Sequence, residues 1–319
     1  MTYKKILQTI KKHKSFIVVT HVGPDPDALG SQMAMALFLE SLGKEVVCVG
    51  ELVVPERYQF LPGVKSIRPY SEDMNLSFDA AVILDCGDRN RIGKIENLIK
   101  DDTCLINIDH HITNDNFGTV NIVDPTASST CEMLCEFFDI ARHKITDTQA
   151  LHLYAGIMTD TGCFRFENTT SKTHLIASKL VEYNFSPTNL YKELYESIPL
   201  RDVQEFTKVI NNFEAFYEKR VACVLLPKKI VKKFSEEFDL RDTIFKFLRS
   251  IQGIEVFLIL TEVSSDKTRI NFRSSGRVDV AKLANKFKGG GHKNASGGVM
   301  LTDIDEARKA VLKEIKKVL

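Results

Sequence analysis

The chain has 319 residues, of which 44% are hydrophobic and 27% are charged, and this composition favours a folded protein of two domains over a disordered chain. Its apolar runs are too short to cross a bilayer, and its N-terminus lacks an apolar signal segment, so we expect a cytoplasmic protein with no membrane partner. Its seven scattered cysteines form no Cys-x-x-Cys pair, and we expect them to be reduced thiols. The net charge of +1 is unevenly distributed, since 24 Lys and Arg stand against 16 Asp and Glu from residue 200 onward, and this favours a metal site in the acidic part and an anionic substrate at the basic part.

Short apolar runs alternate with helical patterns in the first part of the chain. Because strands this uniformly apolar are buried on both faces, the alternation predicts an α/β fold with a doubly wound, mainly parallel sheet. In such a sheet the ligand site lies beyond the carboxyl ends of the strands. We predict strands over 16–20, 46–49, 80–84 and 104–108, and helices over 3–14, 28–42, 126–139, 147–158 and 171–183.

The second part of the chain predicts a smaller α/β domain. We place the first domain at 1–188, a linker or connecting helix at 189–212 and the second domain at 213–319. A glycine-rich loop is expected over 289–292. The other predicted elements are helices over 200–217, 239–250, 279–287 and 303–318, and strands over 221–226, 253–263 and 269–272.

Six side chains that could bind a metal fall at the ends of predicted elements. His21, Asp25 and Asp27 follow the first strand within seven residues. Pro26 biases Asp25 toward extended backbone, in which Asp25 and Asp27 point the same way, and like charges held close favour a cation between them. The alternative is a polar turn in which Asp27 N-caps the next helix. The full candidate set is His21, Asp25, Asp27, Asp85, His110 and Asp160.

Six ligands exceed the needs of one catalytic ion, but they suit two ions that share a carboxylate and clamp a phosphate. A mixture of carboxylate and imidazole ligands fits Mn²⁺, with Mg²⁺, Co²⁺, Fe²⁺ or Zn²⁺ as substitutes. We expect His111 to point away from His110, toward the substrate or in support of a ligand. Asp109 and Asp88 are expected to orient imidazoles, although Asp88 also suits a turn.

The remaining candidates are groups that could hold an anionic substrate. Glycines at 289–291 permit close approach of backbone N–H groups to phosphate oxygens, and no Gly-Lys-Ser/Thr follows as in a Walker loop. Arg273 and Arg165 could each bind a phosphate through two N–H groups, with a surface salt bridge as the alternative for Arg165. Phe166 is either a stacking face for a base or a core residue.

Taken in order, these residues resemble the motifs of the DHH phosphoesterase family over nearly the whole chain. Asp109-His110-His111 resembles the triplet that names the family, and residues 21–31, Asp85 and residues 159–162 resemble its other N-terminal motifs. Residues 289–297 resemble the signature of the associated DHHA1 domain. The resemblance implies two Mn²⁺ ions with Asp85 as the bridging ligand, one held by His21, Asp25 and Asp85 and the other by Asp27, Asp85, His110 and Asp160.

The resemblance also implies an active site in the cleft between the two domains, with phosphate contacts from His111, Arg273 and His292. We predict that His111, Asp85 and Asp109 are catalytic. The predicted substrate contacts are His111, Arg165, Arg273, Ser274, Gly290, Gly291 and His292.

Among members of this family, size and domain content favour the nano-RNase and pAp phosphatase type, which trims short oligonucleotides and dephosphorylates 3′-phosphoadenosine 5′-phosphate (pAp). We predict in-line attack on phosphorus by a hydroxide held between two metal ions. The expected partners are short RNA or DNA oligonucleotides, pAp and linear or cyclic dinucleotides, with a homodimer left open. The alternative is a cyclic di-AMP or pApA phosphodiesterase, and an inorganic pyrophosphatase or a non-catalytic nucleotide-binding module ranks below both.

Overall fold

The computed structural model describes residues 3–196, 198–235 and 238–319, apart from the side chain of His292. The chain divides into two compact units, residues 1–196 and 197–319.

The first unit is organised around a parallel sheet of six strands, as the apolar runs predict. The strand order is β3-β2-β1-β4-β5-β6, and every neighbouring pair is parallel. The sequence does not predict β3 and β6, because two and four residues are too few to give a periodic pattern. The strands are β1 (Ser15–Thr20), β2 (Glu45–Gly50), β3 (Arg68–Pro69), β4 (Ala80–Leu84), β5 (Cys104–Asp109) and β6 (Val120–Val123).

Two apolar layers cover this sheet, which explains why its strands carry no polar alternation. Phe16 and Val18 belong to the layer that contains the helices, whereas Ile17 and Val19 pack with a 3₁₀ segment, Arg89–Leu98, on the opposite face. Shorter 3₁₀ turns lie at Glu56–Tyr58 and Val64–Ser66. The helices are α1 (Tyr3–Lys12), α2 (Pro26–Ser41), α3 (Thr130–Ala141), α4 (Asp147–Asp160), α5 (Ser171–Leu180) and α6 (Pro187–Tyr195).

Helices α2, α3 and α4 approach one another closely at two glycines. A Cβ atom on Gly30 in α2 would lie 2.5 Å from the His152 carbonyl oxygen of α4, and one on Gly156 in α4 would lie 2.4 Å from the Cys131 Sγ of α3. Distances this short are below ordinary van der Waals contact. The two glycines therefore allow the start of α2, the start of α3 and the end of α4 to meet beside the sheet.

The second unit contains a mixed sheet of six strands in the order β11-β12-β10-β9-β8-β7. Only β8 and β9 pair in parallel, and the other pairs are antiparallel. Apolar clusters cover both faces. The elements are α7 (Leu200–Asn211), β7 (Glu214–Phe216), β8 (Val221–Leu226), α8 (Lys228–Val231), α9 (Leu240–Arg249), β9 (Val256–Ser264), β10 (Lys267–Ser274), α10 (Val280–Asn285), β11 (Gly290–His292), β12 (Ala295–Met300) and α11 (Ile304–Lys316).

Two predictions about local structure are wrong. The helix expected over 200–217 ends at Asn211, because Glu214–Phe216 pairs with β8. The glycine-rich segment expected as a loop over 289–292 contains β11, which pairs with β12 in a hairpin. In both cases the pairing with another strand overrides the local preference of the chain. The helix Pro187–Tyr195 overlaps the start of the segment expected as a linker or connecting helix.

All seven cysteines are free thiols, which agrees with the prediction from their spacing. Among the residues that the structure describes, no helix has both the length and the apolar character that spanning a bilayer requires.

Candidate active site

The candidate metal ligands meet at the carboxyl edge of the parallel sheet. His21 follows β1, Asp85 follows β4 and His110 follows β5. The start of α2 and the end of α4 bring the remaining carboxylates to the same place. Among the residues that the structure describes, three groups have ligand atoms within 4.8 Å of one another: His21, Asp25 and Asp85; Asp27, His110 and Asp160; and Asp85, His110 and His111.

The carboxylate of Asp85 lies between the first two groups. Its Oδ2 is 3.4 Å from His21 Nε2, and its Oδ1 is 3.5 Å from His110 Nε2. His110 Nε2 is also 3.3 Å from Asp160 Oδ2 and 4.0 Å from Asp27 Oδ2. One oxygen of Asp85 therefore faces each group, which is the arrangement that a shared carboxylate ligand requires.

The backbone of Asp85 is held in the left-handed region, with φ of 55°. A non-glycine residue in this region costs about 1–2 kcal/mol, although aspartate and asparagine tolerate it better than most. The Asp85 N–H donates to the Ile108 carbonyl oxygen at 3.0 Å, which ties this turn to β5. The turn directs the Asp85 side chain toward the residues that follow the neighbouring strands.

The start of α2 orients Asp25 and Asp27. Asp25 is extended, as Pro26 predicts, and it is the N-cap of the helix, with Oδ1 accepting the N–H groups of Asp27 and Ala28 at 3.0 and 3.1 Å. Asp27 lies in the first turn of the helix and neither caps it nor continues an extended segment. The prediction for Asp27 was wrong because Pro26 also fits the first position of a helix.

Hydrogen bonding fixes the tautomer of His21. Its Nδ1 lies 2.9 Å from the Val22 carbonyl oxygen, which can only accept a hydrogen bond. Nδ1 therefore carries the proton, and a neutral ring presents the lone pair of Nε2 toward Asp85. This is how a backbone carbonyl prepares an imidazole to bind a metal.

Crowding of buried carboxylates shifts their pKa values. Burial, followed by the charges of neighbouring carboxylates, raises the pKa of Asp25 and raises those of Asp27 and Asp160 strongly. For Asp85, burial acts to raise the pKa, but the neighbouring imidazoles of His21, His110 and His111 outweigh it and lower the pKa. The unbalanced negative charge of this cluster is what a bound cation would neutralise.

A chain of hydrogen bonds holds His111. Its Nδ1 lies 2.7 Å from Oδ1 of the fully buried Asp109, and Asn114 Nδ2 donates to Asp109 Oδ2 at 2.6 Å. Burial acts to lower the pKa of His111, but Asp109 and then Asp85 outweigh it and raise the pKa. Asp109 is thus placed to orient an imidazole, as predicted from its position.

The expected direction of His111 is wrong. Strand β5 ends at Asp109, so the alternation of an extended backbone does not continue through His110 and His111. Their ring centroids lie 4.7 Å apart, and His111 Nδ1 lies 3.7 Å from Asp85 Oδ1. His111 therefore lies beside the ligand candidates His110 and Asp85, with Nδ1 bonded to Asp109.

The other candidates of the first unit lie in two turns. Asp88 is the N-cap of the 3₁₀ segment and accepts the Asn90 N–H at 2.8 Å, so it follows the turn interpretation. Arg165 Nε donates to the Gly162 carbonyl oxygen at 2.7 Å. Phe166 is 41% exposed and packs on Gly162, where an added Cβ would lie 2.4 Å from its ring. Phe166 therefore keeps an accessible surface and is not a core residue.

The candidates of the second unit surround the end of β10 and the hairpin. The guanidinium of Arg273 lies 4.8 Å from the centroid of the Phe245 ring and donates to the Phe272 carbonyl oxygen at 3.1 Å, and burial lowers its pKa. Ser274 is buried, and its hydroxyl accepts the Gly276 N–H at 3.0 Å, which favours a role in shaping this turn. Gly290 and Gly291 are strand residues in β11. The side chain of His292 lies outside the described part of the structure.

Two supporting residues near the site were missed from the sequence. Thr130, at the start of α3, contacts Asp27 and Asp85. Asn114 supports Asp109 and also bonds to Asn107. The run of serine and threonine at 128–130 before an apolar helix predicts a helix start. The local sequence does not show that Thr130 bonds to carboxylates far away in the chain.

The donor set fits divalent metal ions. The separations of 3.3–4.0 Å between imidazole nitrogens and carboxylate oxygens exceed those of ordinary N–H···O hydrogen bonds. Atoms bound to one ion through bonds of about 2.0–2.2 Å would lie about 3 Å or more apart. Carboxylate oxygens combined with imidazole nitrogens suit first-row transition ions better than a pure oxygen shell does.

Comparisons with known proteins agree with this geometry. Residues 15–157 match the DHH family, N-terminal domain, and residues 228–319 match the DHHA1 domain. The chain is 32% identical to the Bifunctional oligoribonuclease and PAP phosphatase NrnA of Bacillus subtilis (strain 168), over 92% of this chain and 91% of that protein. It is 32% identical to the Probable bifunctional oligoribonuclease and PAP phosphatase NrnA of Streptococcus mutans, over 92% of each chain.

A solved structure extends the similarity to the fold. The crystal structure of an exopolyphosphatase-related protein from Bacteroides fragilis superposes with a TM-score of 0.89 and 25% identity, over 98% of this chain and 94% of that one. The motifs, the fold and the two relatives cover the same residues. The chain therefore belongs to the DHH family of metal-dependent phosphoesterases.

Proposed function

We propose that this chain hydrolyses phosphate esters of short oligonucleotides and pAp, with two Mn²⁺ ions held at the carboxyl edge of the parallel sheet. The observation that carries the proposal is the carboxylate of Asp85, whose two oxygens face His21 and His110 at 3.4 and 3.5 Å. The relatives from Bacillus subtilis and Streptococcus mutans are named as an oligoribonuclease and PAP phosphatase and a probable one, which supports the choice of substrates.

In this proposal Asp85 is the shared ligand of two metal positions. When bound, the two ions supply positive charge that neutralises the phosphate and makes water more acidic. Co²⁺, Fe²⁺ and Mg²⁺ are expected to substitute for Mn²⁺ with different efficiency, because the ligands combine nitrogen and oxygen. One position would be held by His21, Asp25 and Asp85, and the other by Asp27, His110 and Asp160, to which the family resemblance adds Asp85.

His111 contacts the phosphate in this mechanism. Its Nδ1 keeps a proton in the hydrogen bond to Asp109, and Nε2, when it is protonated, is the atom proposed to donate to a phosphate oxygen. Asp109 is buried and further held by Asn114, so the ring does not have to reorganise when substrate arrives. Asp109 acts through His111 and does not touch the substrate.

Basic and small groups bind the rest of the substrate. Arg273 lies on Phe245 with its guanidinium already oriented, and Arg165 is held by Gly162, which reduces the entropy lost when each binds an anion. Gly290 and Gly291 are exposed and offer backbone groups, and His292 is the remaining predicted contact. The buried Ser274 supports the turn after β10 through its bond to Gly276. The half-exposed ring of Phe166 is suited to stack on a nucleobase.

The experiment is a panel of substrates with purified protein and Mn²⁺: pAp, a 5′-phosphorylated dinucleotide, a five-residue RNA, pyrophosphate and cyclic di-AMP. We expect hydrolysis of pAp and of the short oligonucleotides, and its loss in Asp85→Asn. Preference for cyclic di-AMP would favour the alternative phosphodiesterase. Tight binding of pAp without hydrolysis under all metals would refute the enzymatic proposal.

A further inference from the structure

The start of α3 contacts two of the candidate ligands at once. The backbone N–H of Thr130 donates to Asp27 Oδ2 at 2.8 Å, and the N–H of Cys131 donates to Asp27 Oδ1 at 2.9 Å. The hydroxyl of Thr130 donates to Asp85 Oδ1 at 3.1 Å. Thr130 and Asp27 are fully buried and Asp85 is 2% exposed, so water does not compete for these bonds.

The hydroxyl of Thr130 selects one orientation of the Asp85 carboxylate. It bonds to Oδ1, the oxygen that faces His110 Nε2, and leaves Oδ2 facing His21 Nε2. A carboxylate turns about its terminal bond over a broad, shallow minimum, so a directional donor is needed to fix its plane. The backbone turn at Asp85 fixes where the side chain begins but not this last rotation.

We propose that Thr130 is a positioning residue for the two metal ions, through its hydroxyl on Asp85 and its backbone N–H on Asp27. This inference rests on the proposed function, since it concerns the same two ions. One residue therefore contacts a candidate ligand of each position and links Asp27 to Asp85. Loss of the hydroxyl alone releases Asp85 and leaves the backbone contact to Asp27 intact.

The chain provides a matched control in Thr173. This threonine is also fully buried, lies in the same unit, and donates its hydroxyl to a buried carboxylate, Glu132 Oε2, at 2.7 Å. Glu132 is not among the candidate ligands. A Thr→Val substitution therefore removes a hydroxyl bonded to a buried carboxylate at both positions, and at Thr173 it also removes the capping-box contact with the Thr170 N–H. Only the hydroxyl of Thr130 concerns the proposed metal site.

The test is Mn²⁺ affinity, measured from the electron paramagnetic resonance of free Mn²⁺ in titrations of the metal-free protein. Thr130→Val is expected to bind Mn²⁺ roughly 10–100-fold more weakly than wild type, and Thr130→Ser to restore most of the affinity. Thr173→Val is expected to melt at a lower temperature with unchanged affinity. Circular dichroism checks folding, and Thr130→Ala replaces Thr130→Val if the latter does not fold.

The outcomes separate this inference from the proposed function. If wild type binds two Mn²⁺ ions, and the folded Thr130→Val or Thr130→Ala variant binds them with the same affinity, the role of Thr130 is overturned and the proposed function is not. An equal loss of affinity in Thr130→Val and Thr130→Ser, or in Thr173→Val, would overturn it in favour of general destabilisation. Wild type that binds no Mn²⁺ would overturn the proposed function and this inference with it.

Discussion

Gly156 is where the packing of helices and the candidate metal site meet. A Cβ placed on Gly156 would lie 2.4 Å from Cys131 Sγ and 2.6 Å from Asp27 Oδ1. In an exposed helix interior, Gly→Ala stabilises by about 1 kcal/mol, but overpacking a core typically costs about 1–3 kcal/mol. Because the added methyl meets two neighbouring helices at once, we expect the steric cost to exceed the gain and Gly156→Ala to destabilise by about 1–2 kcal/mol.

For a unit of this size, such a loss lowers the melting temperature by roughly 2–8 °C. Thermal melts of the metal-free protein measure it, and a Mn²⁺ titration should show weaker binding because Asp27 is displaced. Adding Gly156→Ala to the Cys131→Ala variant should lower the melting temperature less than adding it to wild type does. The clash with Cys131 Sγ is then absent, and only the contact with Asp27 remains. Melting of Gly156→Ala at or above the wild-type temperature, with wild-type Mn²⁺ affinity, would refute this account of the packing.

Three further outcomes are expected. Asp85→Asn should keep the left-handed backbone but hydrolyse pAp with Mn²⁺ at least about 100-fold more slowly, as measured by phosphate release. Asp85→Ala should have a free energy of unfolding about 1 kcal/mol lower than that of Asp85→Asn, as measured by denaturant melts. Burial and neighbouring carboxylates raise the pKa of Asp160, so its ionisation lowers the stability of the metal-free protein as pH rises from about 4 toward that raised pKa. Asp160→Asn should therefore lose less melting temperature between pH 5 and pH 7 than wild type does. An equal loss in both proteins would contradict the assignment. Asn114→Ala should lower pAp turnover roughly tenfold by releasing Asp109, with Mn²⁺ affinity unchanged, whereas a parallel loss of affinity would place Asn114 in the metal site.

The residues alone predicted the parallel sheet and the place of its site. Apolar runs that end directly in His21, Asp85 and Asp109 give both the strands and the side chains that follow them. The carboxyl ends of neighbouring parallel strands lie at one edge, so this convergence follows from topology without any knowledge of side-chain packing. The resemblance to the DHH family supplied the expected ligand sets and substrates.

Tertiary structure decided which atoms face one another. Asp27 lies inside a helix, His111 lies beside His110, and the segment around Gly290 is a strand, none of which local pattern predicts. The glycine segment becomes a strand through its pairing with β12, and the ring of His111 is oriented by its hydrogen bond to Asp109, neither of which follows from residue periodicity.

The contact of Thr130 with Asp85 shows the same limit most clearly, because its partners are 45 residues apart. Sequence periodicity records which face of an element is buried, and so it predicts strands, helices and the edge where they end. The rotation of a side chain, and the hydrogen bond that fixes it, are set by packing between elements and appear only when the chain is folded.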